Sequence, residues 1–257
     1  MNGLVPDGPP LSESYNLLLP MRRGADRFVL KIHAERDEYR CEAAALRAWS
    51  DVPVAVRVIE DDGHSLLLER VAGVSLESTW DAARDDDDTL ALAGVMRQLR
   101  QLRRPPPTDG LPHIRDWLAA LREPRPGIPV EHARAMADEL LASAESDVLL
   151  HGDLHHGNVL RGTSGRLTVI DPKGVRGDPA FEAGAMLRNP MTPFLDAPDP
   201  AALTRRRLDI CADVLGTDRD RLRAWGYVVQ VLCAVWAGDD ADMAGYGLRC
   251  AQLISRS

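Results

Sequence analysis

The stretch that decides this chain is His151-Gly-Asp-Leu-His-His-Gly-Asn158, followed by Val169-Ile-Asp-Pro-Lys173. Asp153 precedes Asn158 by five residues, and Asn158 precedes Asp171 by thirteen. Short apolar runs at Val148–Leu150 and at 167–170 flank the segment and predict strands around a loop rich in chemically active side chains. Two familiar readings fail on the residues. His and Asp suit zinc, but the adjacent His155 and His156 do not converge on one ion, and no His-Glu-x-x-His helix is present. Gly152 to Gly157 has phosphate-loop spacing, yet Asn158-Val159 stands where that loop requires Lys-Ser or Lys-Thr.

Working outward, 257 residues make one large domain or two small ones sharing a cleft. Hydrophobic residues at 45% and charged residues at 27% exclude wholesale disorder. The net charge of -8 argues against a nucleic-acid backbone binder. Of the 31 basic residues, Lys31 and Lys173 are the two lysines. A general bias toward arginine accounts for the count, and the two remaining lysines are the ones to check for work that a compact ammonium does and a planar guanidinium does not. Cys41, Cys211, Cys233 and Cys250 form no Cys-x-x-Cys pair and read as reduced core residues. No basic-then-apolar leader is visible at the N-terminus, and the longest apolar stretch, 227–238, is too short to span a bilayer. A cytoplasmic protein with no membrane partner is expected.

The first seventy residues predict a small sheet with one helix. Asn16 to Pro20 and Phe28 to Ile32 read as a hairpin turning at Gly24, with Lys31 near its end. A helix over 35–50 buries Tyr39, Ala43, Leu46 and Trp49 or Ser50, and Glu42 falls on that same inward stripe. A carboxylate there needs a partner, because an unpaired buried charge is costly. Val52 to Ile59 and Ser65 to Val71 are two further predicted strands. Beyond Gly73 the pattern is mainly helical. One helix is expected over 89–103, with Asp85 to Asp88 as its solvated acidic cap. A stiff proline linker follows at 104–109, then a helix over 131–146 and two more near 201–215 and 219–237. The expected class is α+β and bilobal, with a small lobe over 1–71 and a larger helical lobe over 72–257.

The spacing Asp153, Asn158, Asp171 resembles the protein-kinase catalytic loop and its metal-binding aspartate. The wording HGDLHHGN with IDPKG and GDPAF is similar to the aminoglycoside phosphotransferase family, in its streptomycin 6-phosphotransferase and hydroxyurea phosphotransferase branch. That resemblance implies a protein-kinase-like fold and transfer of the γ-phosphoryl group of ATP, with two magnesium ions, to a hydroxyl of a small, cationic acceptor such as streptomycin. Kinases of choline, homoserine or sugar type use the same machinery, and a nucleotide-binding pseudokinase is the third reading. The retention of Lys31, Asp153, Asn158 and Asp171 together weighs against the last.

Carried over residue by residue, the resemblance makes Asp153 the base and Asn158 and Asp171 the magnesium ligands. Lys31 becomes the ligand of the α- and β-phosphates, and Glu42 the carboxylate that positions it, with Glu38 one turn earlier as the alternative. Glu69, Arg70 and Val71 form the adenine-binding hinge. Ser12 and Ser14 are the donors of the phosphate-covering segment, whose first strand is expected to be short or missing because no glycine-rich loop is present. Lys173, two residues past a metal ligand, is expected to steady charge on the transferred group. Glu182 stands where the family usually has Asp. It joins Asp196, Asp239 and Asp240 as a carboxylate for a cationic acceptor, with Trp236 as a core residue or a sugar-stacking face.

Overall fold

Alternating apolar residues and a tight turn make strands β2 (Leu17–Arg23) and β3 (Asp26–Ile32) a hairpin. Around it the computed structural model, which describes residues 3–12, 16–102 and 110–257, builds a five-stranded antiparallel sheet. The remaining strands are β1 (Val5–Pro6), β4 (Val58–Asp61) and β5 (Ser65–Glu69), in the order β1-β2-β3-β5-β4. Lys31 lies on the central strand, opposite Leu18 on one side and Leu66 on the other. Helix α1 (Arg36–Ala48) covers the sheet, packing Tyr39, Ala43 and Leu46 against Val56, Leu66 and Leu68.

The expected strand over 52–59 is only half present. Val52, Val54, Ala55 and Val56 are buried, but Val52 and Ala55 turn back on Trp49 and Val52, and Pro53 has no N–H to give a ladder. Their backbone serves a different sheet: Val169 N–H donates to Val54 O at 2.7 Å, and Val56 N–H to Val169 O at 3.0 Å.

The chain leaves the small sheet at Glu69 and enters the larger lobe at β6 (Gly73–Ser75). β6 pairs with β8 (Val159–Gly162), and β8 with β9 (Leu167–Val169). β7 (Val148–Leu150) pairs with β10 (Val175–Gly177). Helices α2 (Asp85–Leu99), α3 (Ile114–Leu118), α4 (Val130–Ala142), α5 (Ala183–Met186), α6 (Met191–Leu195), α7 (Pro200–Leu215), α8 (Arg219–Trp236) and α9 (Ala241–Ser255) make up the rest. Both α3 and α9 lie outside the helices expected from periodicity. Five residues are too few for a 3.6-residue repeat to show, and the glycines of α9 dilute its apolar stripe. The proline linker over 104–109 lies outside the described residues. Among the described residues, no helix is long and apolar enough to cross a membrane.

The acidic run at the start of α2 is a solvated cap only at Asp86 and Asp87. Asp85 and Asp88 are buried, and Asp85 accepts both arms of Arg207, at 2.9 Å from Nε and 2.6 Å from Nη2. Arg207 also donates to the carbonyls of Met186 and Asn189, each at 2.8 Å, while Trp80 Nε1 reaches Asp85 Oδ1 at 2.8 Å. Both ions are thereby satisfied in a place where either alone would be costly. Replacing Arg207 by Met should destabilise the fold by about 3–5 kcal/mol in chemical denaturation, because Asp85 would be left buried against Trp80 alone. A midpoint equal to that of the wild type would show that the pair contributes nothing net.

Candidate active site

The loop from His151 to Asn158 is assembled from backbone hydrogen bonds outward. His151 follows β7 and is fully buried, with Nε2 2.8 Å from Ile170 O and Nδ1 accepting from Asp153 N–H at 3.3 Å. Those partners place its proton on Nε2, and burial pulls its pKa down from 6.5 to about 4. Glu182 accepts from the N–H groups of His151 at 2.6 Å and Gly152 at 3.0 Å. Burial nevertheless pushes its pKa up to about 7. This settles the role of Glu182 as a brace beneath the loop, and it corrects its reading as an acceptor ligand. Gly152 has φ of 85°, and a Cβ there would stand 2.8 Å from Trp117 and 2.9 Å from Val175.

Asn158 Nδ2 donates to Asp153 O at 2.9 Å, which leaves its Oδ1 available. The β8–β9 hairpin then returns the chain, and Ile170 N–H donates to Asn158 O at 3.0 Å. Asp171 follows at φ of 57°, a left-handed backbone that costs free energy in a non-glycine residue. Asp153, Asn158 and Asp171 are thus gathered at one edge of the larger lobe, as the thirteen-residue gap implied.

The small lobe adds its lysine to this edge. Lys31 Nζ lies 2.6 Å from Glu42 Oε2 and forms a second ion pair with Asp171 Oδ1. Lys31 pairs with Glu42 and not with Glu38, which lines the cleft nearby. Burial lowers the Lys31 pKa, but Glu42 and Asp171 outweigh it and hold the ammonium above its usual range. Burial likewise raises Asp171, yet Lys31 and Lys173 together keep its carboxyl below the ordinary range. Lys173 Nζ is 3.3 Å from Asp171 Oδ2. His33 was missed from sequence: its buried Nε2 is 2.5 Å from the same Glu42 Oε2 that holds Lys31. The available signal was its place two residues past Lys31, just beyond the end of β3.

A cleft of about 640 Å³ opens between the lobes, walled by Leu18, Val29, Val56, Leu68, Leu160 and Ile170. Lys31, Asn158, Asp171 and Lys173 line it, as do Glu69, Arg70 and Val71, the residues expected at the hinge. Arg70 N–H reaches Arg27 O at 3.4 Å and Thr163 N–H reaches Ala72 O at 3.1 Å; Val71, between them, takes no part in either bond. A two-residue first strand does exist, so the expectation of a short strand holds. After it the chain runs back along β2 through Asp7 N–H to Pro20 O and Leu11 N–H to Leu18 O, both 2.8 Å. Ser12 lines the cleft; Ser14 lies outside the described residues. An apolar sandwich with cations and hard oxygen donors at one end fits a nucleoside triphosphate with magnesium.

A second cavity, of about 380 Å³, lies on the other side of Lys173. Asp153 opens into it among Trp117, Phe181, Arg188, Cys233 and Trp236. Trp117 and Arg188 were not singled out from sequence, where nothing distinguishes them from other tryptophans and arginines. Trp236 is 52% exposed, so it is a wall of this cavity and not core. Cys233 lines the same wall. Asp196, Asp239 and Asp240 are exposed and lie outside it, Asp240 being spent on the N-terminus of α9 through Met243 N–H at 3.0 Å.

Comparison with known proteins accords with this geometry. Residues 3–241 match the family described as aminoglycoside/hydroxyurea antibiotic resistance kinase. Streptomycin 6-kinase of Streptomyces glaucescens is 32% identical over 254 residues, covering 94% of this chain and 81% of the relative. Hydroxyurea phosphotransferase of Kitasatospora aureofaciens is 35% identical over 263 residues, covering 94% and 72%. An ethanolamine kinase of Plasmodium vivax superposes with a TM-score of 0.71 at 13% identity, covering 99% of this chain and 83% of that one. A thermostable aminoglycoside phosphotransferase bound to ADP and hygromycin B gives 0.68 at 18%, covering 97% and 93%. At those identities the structural likeness is one of fold, the bilobal protein-kinase-like fold.

Because His151 is buried neutral, its folded pKa lies below its unfolded one. Its contribution is complete above pH 6.5 and is lost as pH falls toward 4. The wild type should therefore lose up to about 3 kcal/mol relative to His151→Gln between those values. Taking the difference cancels Glu182, which titrates in the same window with the opposite sign. Parallel pH profiles from denaturant titrations of the two proteins would refute the assignment.

Proposed function

Given that the chain belongs to the aminoglycoside/hydroxyurea antibiotic resistance kinase family, we propose that it moves the γ-phosphoryl group of ATP onto a hydroxyl of a small molecule. The observation that carries this reading is the line of charged groups between two cavities. Lys31, Asn158 and Asp171 line the larger, Asp153 the smaller, and Lys173 both.

Lys31, locked by Glu42 on the central strand, holds the α- and β-phosphates. Asn158 Oδ1 and the Asp171 carboxylate are the oxygen donors for magnesium, which when bound neutralises phosphate charge. Asp153 accepts the hydroxyl proton as the acceptor oxygen attacks phosphorus, and ADP leaves on the opposite side. Lys173, beside Asp171 and facing both cavities, steadies charge on the group in transit. Positioning and charge stabilisation supply most of the acceleration, with the base adding about 10² to 10⁴. Kinship divides the acceptor between streptomycin and hydroxyurea, and it decides the reaction class better than the substrate.

ADP release from MgATP, measured across streptomycin, hydroxyurea, other aminoglycosides, choline and homoserine, tests the reading. Asp153→Asn should abolish acceptor-dependent release while nucleotide affinity stays within a few-fold; near-normal turnover would refute the base. Lys173→Ala should lower kcat by at least about tenfold with little change in KM for ATP. Unaltered kcat in that variant would return Lys173 to the role of a simple partner of Asp171.

A further inference from the structure

Two donors meet on a single oxygen of Glu42. Its Oε2 lies 2.6 Å from Lys31 Nζ and 2.5 Å from His33 Nε2. Among the described residues neither Glu42 Oε1 nor His33 Nδ1 has a hydrogen-bond partner, and both atoms are enclosed. Glu42 is therefore the one polar group that this imidazole serves. A carboxylate oxygen only accepts, so the ring proton stands on Nε2. The His33 side chain is 1% exposed, and Tyr39 closes on it edge to face with centroids 5.5 Å apart. Tyr39 OH in turn donates to Asp61, which fixes the tyrosine. Ala34 N–H donates to Asn16 Oδ1 at 3.1 Å and so fastens the backbone just past His33. The ring is held with its single donor aimed at Glu42.

What this contact does follows from the other claims on Lys31. The ammonium is divided between Glu42 and Asp171, and Asp171 is also the carboxylate assigned to magnesium. Once Asp171 is engaged there, Glu42 is the carboxylate left to aim Lys31. Glu42 belongs to α1 and Lys31 to β3, so their pair lasts only while helix and strand stay together. In protein kinases that pair must be in place for phosphoryl transfer, and the position of its helix controls it. Here one short run of chain grips the helix twice, through Lys31 and two residues later through His33. We infer that His33 is a positioning residue, which latches Glu42 and with it α1 to the end of β3, so that Lys31 stands ready for the α- and β-phosphates before nucleotide binds. This rests on the phosphotransferase reading. The gain is preorganisation, because nucleotide binding need not draw the helix inward.

Calorimetric titration with MgADP tests the inference, with amide hydrogen exchange along α1 as a second readout. His33→Gln keeps a donor near the place of Nε2, His33→Asn withdraws it, and His33→Phe keeps a ring against Tyr39 without it. His33→Phe and His33→Asn should each bind MgADP about tenfold or more weakly, and His33→Gln within about threefold of the wild type. Adenosine, which offers Lys31 no phosphate, should bind the wild type and all three variants within about twofold. Without nucleotide, the amides of α1 should exchange about tenfold faster in His33→Phe and His33→Asn than in the wild type. If His33→Phe does not fold, the smaller and polar His33→Asn carries the test. MgADP affinity within about twofold of the wild type in His33→Asn would overturn the inference, as would equal losses in His33→Asn and His33→Gln. Equal losses for adenosine and MgADP would also overturn it and make His33 a packing residue of the small lobe. Wild-type protein that binds MgADP while its variants fail these tests loses the latch alone; wild-type protein that cannot bind MgADP loses the phosphotransferase reading as well.

Discussion

The Asp171 carboxylate holds the two lobes in register. One oxygen takes Lys31 from the central strand of the small sheet, and the other faces Lys173 on its own loop. Lys31 is 4% exposed, and without Glu42 and Asp171 its ammonium would be an uncompensated buried charge. Asp171 meets it from a left-handed backbone, held there by the bond between Ile170 N–H and Asn158 O before it and that between Lys173 N–H and His151 O after it. The next residue, Gly174, lies so close to α1 that a Cβ would stand 2.3 Å from Cys41 O. Helix α1, which carries Glu42, and the loop that carries Asp171 are therefore one packed unit.

The same economy governs the rest of the charge. A chain with 39 acidic residues and 29 arginines spends both on one another, and the planar guanidinium suits carboxylates buried in a helical lobe. Arg207 grips Asp85 with two arms; Asp178 Oδ2 takes both Arg221 Nε and Trp225 Nε1, each at 2.8 Å. Among the described residues no arginine bonds Glu182, which accepts from two backbone N–H groups. That arrangement stiffens the turn at His151 and Gly152, the turn from which Asp153 projects.

Two cavities meeting at Lys173 separate the tasks of the fold. The side walled by Leu18, Val29 and Ile170 offers features any triphosphate needs, and they come from strands and tight loops. The side walled by Trp117, Arg188 and Trp236 comes from α3, the segment after α5 and the end of α8, helical positions where substitutions change shape without disturbing the catalytic loop. This division explains why one scaffold serves relatives named for acceptors as unlike as streptomycin and hydroxyurea.

What the sequence by itself determined is whatever depends on short spacing. The hairpin carrying Lys31, the inward face of α1 with Glu42, and the loop from His151 to Asp171 were legible because local periodicity and turn residues dictate them. One partner of Lys31 stands 140 positions away, yet the inward glutamate of α1 already demanded company. Tertiary structure alone decided the matters in which distant segments compete for one group. The backbone of Val54 and Val56 pairs with Val169 across the lobes, so no strand extends over 52–56. Asp85 is buried because Arg207 arrives from α7, whereas a tetrad of aspartates at a helix start reads as solvated when only its neighbours are considered. Arg188 and the tryptophans of the second cavity carry no local signal, since only packing brings them to the wall beside Asp153.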